Sequence, residues 1–441
     1  MSKTVKGFLM LALAMLVIGI FFGVIGGFQY LFPTWLKEWL PFTKTRPLHV
    51  SLVISWIFTA ATAGIYYYLP RITGKPLFSE KLARWHLIIL LFNTVAIFIC
   101  YLLGLFGGRE YLEFPPLLAL PVIIYWALFM INYFMTIRRK LERIPIYIWM
   151  WTTGLIFFFI TFCEAYLWLI PFFRDNIVRD VTVQWKAMGS MVGSWNMMVY
   201  GTGFYVMKKI SGNDNVSRSP LTYFFYFLGL MNLLFNWGHH TYIVPAAKWI
   251  GTVAYIISMT ELVLLGSIIL NWRKSLNQAR KHFHIISYHF LFAADIWIFL
   301  NLCLAICISI PSINYYTHGT HITVAHAMGA TIGINTMILL ASLYFIAESS
   351  TCRTHILLRH KKKIKVGFWI TNISLLFFWL SLIGSGIVTA MEKEKGTAFS
   401  VMMLKLSTWF HAFAGAGVGI FAGVIVLSIP LFNNIYRNEV K

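Results

Sequence analysis

Residues 313–337 read INYYTHGTHITVAHAMGATIGINTM: His318, His321 and His326 fall within nine positions, and no charged residue follows until Glu348. An uncharged run of this length is a membrane-spanning helix, because about 20 residues at 1.5 Å each cross the hydrocarbon. Imidazoles at the mouth of such a helix are costly to bury and mark a site. Met328, two residues beyond His326, lies about 200° further round the helix and faces another side of it.

The same pattern extends in both directions. The chain has 441 residues, 59% hydrophobic and 12% charged, with 17 Trp and 38 Phe. Soluble domains carry about 25% charged residues, so this composition is that of an integral membrane protein. Twelve apolar stretches follow one another, near 8–32, 48–70, 86–107, 115–136, 146–172, 184–207, 221–243, 247–271, 286–310, 320–346, 365–388 and 404–432. The expectation is one all-α polytopic domain over residues 1–441 with twelve transmembrane helices. The first stretch lacks a small-residue cleavage pattern and reads as a retained span.

The net charge of +21 does not point to nucleic acid. With the N-terminus inside, more than two thirds of the 36 Lys and Arg fall on the inner connections. That is the positive-inside asymmetry and places both termini in the cytoplasm. The run RHKKKIK at 359–365 fits topology and contact with lipid phosphates. The five cysteines are scattered, and neither CxxCH nor a paired CxxC occurs, so covalent haem c and a cysteine zinc site are excluded.

The ionisable residues inside the spans are few: His49, Glu164, His239, His240, Glu261, Asp295, His326 and His411. In the twelve-span order His49, His326, His411 and the pair His239–His240 all fall in the outer half of their helices, with Glu164. Glu261 lies deeper. Imidazoles from separate helices at one depth point to a haem or metal cluster within the bundle, since neutral imidazole suits iron and copper. His282 and His284 belong to a basic inner connection and read as solvated. His318 and His321 sit at the outer boundary, beside a cofactor edge or the interface.

At these residues the chain resembles the large catalytic subunit of cytochrome c-dependent nitric oxide reductase, a branch of the haem–copper oxidase superfamily. The resemblance rests on WGHH at 237–240, Glu261 in TELV, and NYYTHGT followed by AH at 325–326. It implies a subunit I-like bundle, a low-spin haem b, a high-spin haem b3 and a facing non-haem iron. His49 then corresponds to a low-spin haem ligand, and His326 to the proximal ligand of the high-spin haem. His239 and His240 correspond to non-haem iron ligands, and Glu261 to the carboxylate that delivers protons. GREYLEFP at 108–115 resembles an acidic outer loop in which Glu110 or Glu113 helps hold calcium near haem propionates. A membrane-anchored cytochrome c subunit is the implied electron donor, and a bacterial inner membrane the implied location.

Two ligand positions depart from the family pattern. Met328 stands where a second span-ten histidine would ligate the low-spin haem, and a His/Met haem has a raised potential. Counting back from the histidine pair places Met188 at the third iron ligand, with Val192 and Asn196 at the following glutamate positions. A thioether there favours copper over iron. The implied activity is reduction of nitric oxide to nitrous oxide. The alternatives are an oxygen reductase of the same superfamily and a non-catalytic b-haem electron carrier or gas-binding subunit.

Overall fold

The computed structural model describes residues 1–138, 144–212, 215–257, 259, 284–350 and 360–437. Among them every long element is helical. In chain order these are α1 Lys3–Leu31, α2 Phe42–Thr73, α3 Glu80–Leu103, α4 Ala119–Ile137, α5 Ile146–Glu164 and α6 Ile177–Ser211. There follow α7 Pro220–Phe235, α8 Lys248–Ile257, α9 Ile285–Ser309, α10 His321–Ser349, α11 Lys361–Glu394 and α12 Phe399–Arg437. Nine helical segments among the described residues are long and apolar enough to cross a membrane.

The outlying stretches are 184–207, 221–243 and 247–271. The first lies in α6, whose 35 residues extend beyond the apolar run into charged first and last turns. The second is interrupted: α7 ends at Phe235 and Asn236–Thr241 winds as a 3-10 turn. His239 and His240 therefore sit on a tight connection and not on a continuous spanning helix. A tight i→i+3 winding can accommodate Gly238, whose Cα lies so close to α8 that a Cβ would come within 2.9 Å of the Ile250 carbonyl oxygen. Only the start of the third stretch is described, as α8.

Local signals set the helix ends. Ser2, Ser79 and Asn176 accept backbone N–H groups in the first turns of α1, α3 and α6, as N-caps do. Gly104 and Gly212 close α3 and α6 in the left-handed region. The core is aromatic and tied by buried polar bonds, which hold helices together where lipid offers no hydrophobic drive. Trp56 Nε1 of α2 donates to Thr336 Oγ1 of α10 at 3.1 Å, and Tyr68 Oη lies 2.6 Å from Ser342 Oγ. These contacts fix α10 against α2 along its length.

Within α10, residues Gly329–Thr336 form a π-helical stretch directly after Met328. Such bulges gather at functional sites. Gly329 permits it to pack on α9, since a Cβ there would lie 2.3 Å from Asn301 Oδ1.

Candidate haem and metal sites

The α10 residues His326 and Met328 open onto different cavities. Met328 lines a cavity of about 360 Å³ together with His49, Arg46, Tyr30, His321 and Phe413. His326 lines one of about 210 Å³ with His239, His240, Val192, Asn196 and Asn301. One helix thus divides two chambers.

In the first chamber, His49 Nδ1 is 2.8 Å from the Gly19 carbonyl oxygen of α1. That carbonyl can only accept, so the proton sits on Nδ1 and Nε2 keeps its lone pair, the arrangement that orients an imidazole ligand. Gly23 makes the close approach: a Cβ there would lie 2.7 Å from His49 Nδ1. Imidazole and thioether on the walls of one chamber are donors suited to haem iron.

The rim is charged. The connection between α3 and α4 folds back through hydrogen bonds from Gly107 and Gly108 N–H to the Glu113 carbonyl. This turn brings Glu110 and Glu113 to one guanidinium: Arg46 Nη2 is 2.5 Å from Glu110 Oε1, and Nη1 is 3.1 Å from Glu113 Oε1. Burial pushes the Glu113 carboxyl up against the pull of Arg46. The two carboxylates expected to hold calcium thus face an internal cation.

In the second chamber the imidazole pair is close, with ring centroids of His239 and His240 4.2 Å apart. Trp185 of α6 stacks on His240 at 4.5 Å and 5°. His318 lies 5.9 Å from His240 and so belongs beside this pair. The Nδ1 atom of His240 is buried without a hydrogen-bond partner among the described residues, while the His326 ring is placed to bond the Asn301 backbone. An orphaned imidazole nitrogen on this cavity can donate its lone pair to a metal.

Met188 is placed elsewhere. It lines a separate cavity with Arg109, Glu110, Asp180 and Trp185, while Gly189, Val192, Gly193 and Asn196 face the imidazoles. Among the described residues no three His, Cys, Asp or Glu side chains converge as a metal-binding group. Glu261 lies outside the described residues. The described donors therefore fit two haems, and fall short of a complete third metal centre.

Other candidates resolve into structure. Glu164 pairs with Lys186 of α6. His411 is exposed and bonds the Ser407 carbonyl of its own helix at 2.8 Å. His321 lies in the first chamber against Tyr30. His86, a buried ionisable group that the hydropathy pattern did not single out, is 1% exposed and satisfied by Tyr66 Oη at 3.1 Å. Sequence reasoning also passed over Arg46, three residues before His49 in TRPLH, and Trp185, whose position shortly before Met188 carried no motif.

The chain is similar to several known proteins. The chain is 25% identical to a nitric oxide reductase chain of Stutzerimonas stutzeri, over 93% of this chain and 90% of that protein. It is 23% identical to the cbb3-type cytochrome c oxidase subunit CcoN1 of the same species, over 98% and 94%. Cytochrome c oxidase subunit 1 of Rhodobacter capsulatus is also 23% identical, over 93% of this chain and 80% of that one. A solved haem–copper terminal oxidase dimer superposes with a TM-score of 0.77 at 14% identity, covering 99% of this chain and 84% of its own. The family model for cytochrome c and quinol oxidase polypeptide I matches residues 3–421, and the chain belongs to that family of membrane oxidoreductases.

Proposed function

We propose that the chain is a two-haem membrane reductase of a small diatomic, with nitric oxide as the substrate: 2 NO + 2 e⁻ + 2 H⁺ → N₂O + H₂O. The observation that carries this reading is the division of His326 and Met328 between two chambers, each with imidazole on its opposing wall. His49 and Met328 would hold the low-spin haem b, and His326 the high-spin haem b3. Bound haem would supply one-electron redox chemistry and, at His326, an open iron position.

The protein's own groups supply the rest. The Gly19 carbonyl fixes the His49 tautomer, and Arg46 at the chamber rim is held between Glu110 and Glu113. His239 and His240 face His326 across the second chamber. His318 lies half-buried beside them. Glu261 enters as proton carrier on the resemblance alone. The donor set for a non-haem iron or copper lacks a third described ligand, so no step is assigned to that metal. Electrons would come from a membrane-anchored cytochrome c subunit in a bacterial inner membrane.

A second reading has its own support. Val192 and Asn196 occupy the cavity wall where the resemblance implies carboxylates, which suits a b-haem electron carrier or gas-binding subunit. Purified protein decides between them by haem and metal analysis, reduced-minus-oxidised spectra and NO consumption with an artificial donor. Two haems, a non-haem metal and N₂O release support the reductase. Two haems with no NO turnover would leave the carrier.

A further inference from the structure

His321, in the first turn of α10, lines the first chamber, yet its Nδ1 is buried without a hydrogen-bond partner among the described residues. A polar nitrogen buried in this way costs free energy unless a ligand bonds it. Aromatic rings fix the imidazole in place. Tyr30 of α1 meets it edge-on at 5.6 Å, and Phe410 and Phe413 of α12 lie 5.7 and 6.3 Å away.

Helix geometry sets the depth of this nitrogen. α2 and α10 run the same way, since Trp56 bonds Thr336 and Tyr68 bonds Ser342. Counting back seven residues from the first pair sets His49 level with Gly329, beside Met328. His321 then lies two turns, about 10 Å, nearer the rim, since seven residues of α-helix separate it from Met328. The α1 side agrees: Gly23 abuts His49, and Tyr30, which packs on His321, follows Gly23 by the same two turns. A haem whose iron lies between His49 and Met328, with its acidic edge toward the rim, brings a carboxylate to His321. The other charged groups of that rim are Arg46 and the two glutamates, Glu110 and Glu113, that already hold it. Tyr30 and Tyr111 are the remaining titratable groups on the chamber wall, and α11 and α12 contribute apolar side chains such as Phe378, Leu382 and Phe413. A further carboxylate therefore has His321 as its hydrogen-bonding and proton-accepting neighbour.

Resting on the two-haem reading, we propose that His321 binds a carboxylate of the haem held by His49 and Met328 and takes up one proton when that haem is reduced. One electron from an external one-electron donor reduces the iron, and one proton from the aqueous rim adds to the His321 ring; no other bond forms or breaks. The reduced centre carries one positive charge less, which favours the charged form of a nearby imidazole. His321 is in this respect a positioning residue that ties the potential of the first chamber to pH.

The test is a spectroelectrochemical titration of the purified, haem-loaded chain at several pH values between about 5 and 8, where imidazole titrates. The low-spin midpoint of the parent should fall as pH rises, by up to about 59 mV per unit for one proton per electron. In His321→Gln, which keeps the size and an amide donor, the slope should at least halve. His321→Lys, charged throughout this range, should lose the slope as well and hold the higher midpoint. Glu113→Gln should keep the slope. A pH-indicating dye reads the proton uptake of the parent on reduction and needs no substitution. A parent midpoint independent of pH with no proton uptake, or a slope kept in His321→Gln and lost in Glu113→Gln, would overturn the proposal while leaving the two haems in place. A chain that binds no low-spin haem would remove the two-haem reading and this inference together.

Discussion

His326 and Met328 are separated by one residue yet line different chambers, because two helical steps carry a side chain through about 200°. A single turn of α10 therefore serves as a common wall.

On the proposed reading, Met328 would set the potential of a haem in the first chamber. A thioether ligand holds a haem at higher potential than a second imidazole does. Met328→His should lower the midpoint of the low-spin haem by on the order of 100 mV, read by spectroelectrochemical titration. An unchanged midpoint would show that the sulfur does not ligate.

Gly23 should be the most sensitive small residue of that chamber. A methyl there would meet His49 Nδ1 at 2.7 Å, and relieving it means rotating the ring off the Gly19 carbonyl or parting α1 from α2. Overpacking of this kind costs about 1–3 kcal/mol. Gly23→Ala should lower the low-spin haem content and leave the other haem in place. Equal occupancy in variant and parent would refute the cradle.

Most of the bundle was legible in the sequence because hydropathy and helix length are local properties. Nine of the expected spans coincide with long apolar helices among the described residues, though charged turns such as Lys361–Lys365 prolong them past the apolar run. The chambers were legible through the spacing of His326 and Met328. What escaped was rotation and long-range pairing. Counting along α6 gave Met188 a position but not the direction it faces, and Trp185 occupies the place against His240. Nothing local tied His318 to His240, or Arg46 to two glutamates more than sixty residues away.

Calcium is the expectation most directly tested by that last pairing. Arg46 already neutralises part of the charge of Glu110 and Glu113, and a divalent ion would have to displace or sit against a guanidinium. Chelation with EDTA should leave the Tm of the parent protein unchanged. Arg46→Gln releases both carboxylates, and its Tm should then rise on adding calcium. A parent protein destabilised by EDTA would return the loop to calcium.

The second chamber makes the sharpest demand on the functional reading. If His239 and His240 hold a non-haem metal there, replacing both by alanine should remove that metal and leave two haems per chain. Elemental analysis beside a pyridine haemochrome assay reads both quantities in one preparation. His318, 5.9 Å from His240, should lower the metal content less when replaced, since its ring is only half-buried at the mouth of the site. Removing the Trp185 ring frees His240 to turn, because the stack at 4.5 Å is a close contact on that ring's face. Trp185→Ala should therefore weaken metal retention without touching haem. If the parent protein carries no third metal at full haem occupancy, the imidazole pair is not a metal site as isolated, and the carrier reading stands in place of the reductase.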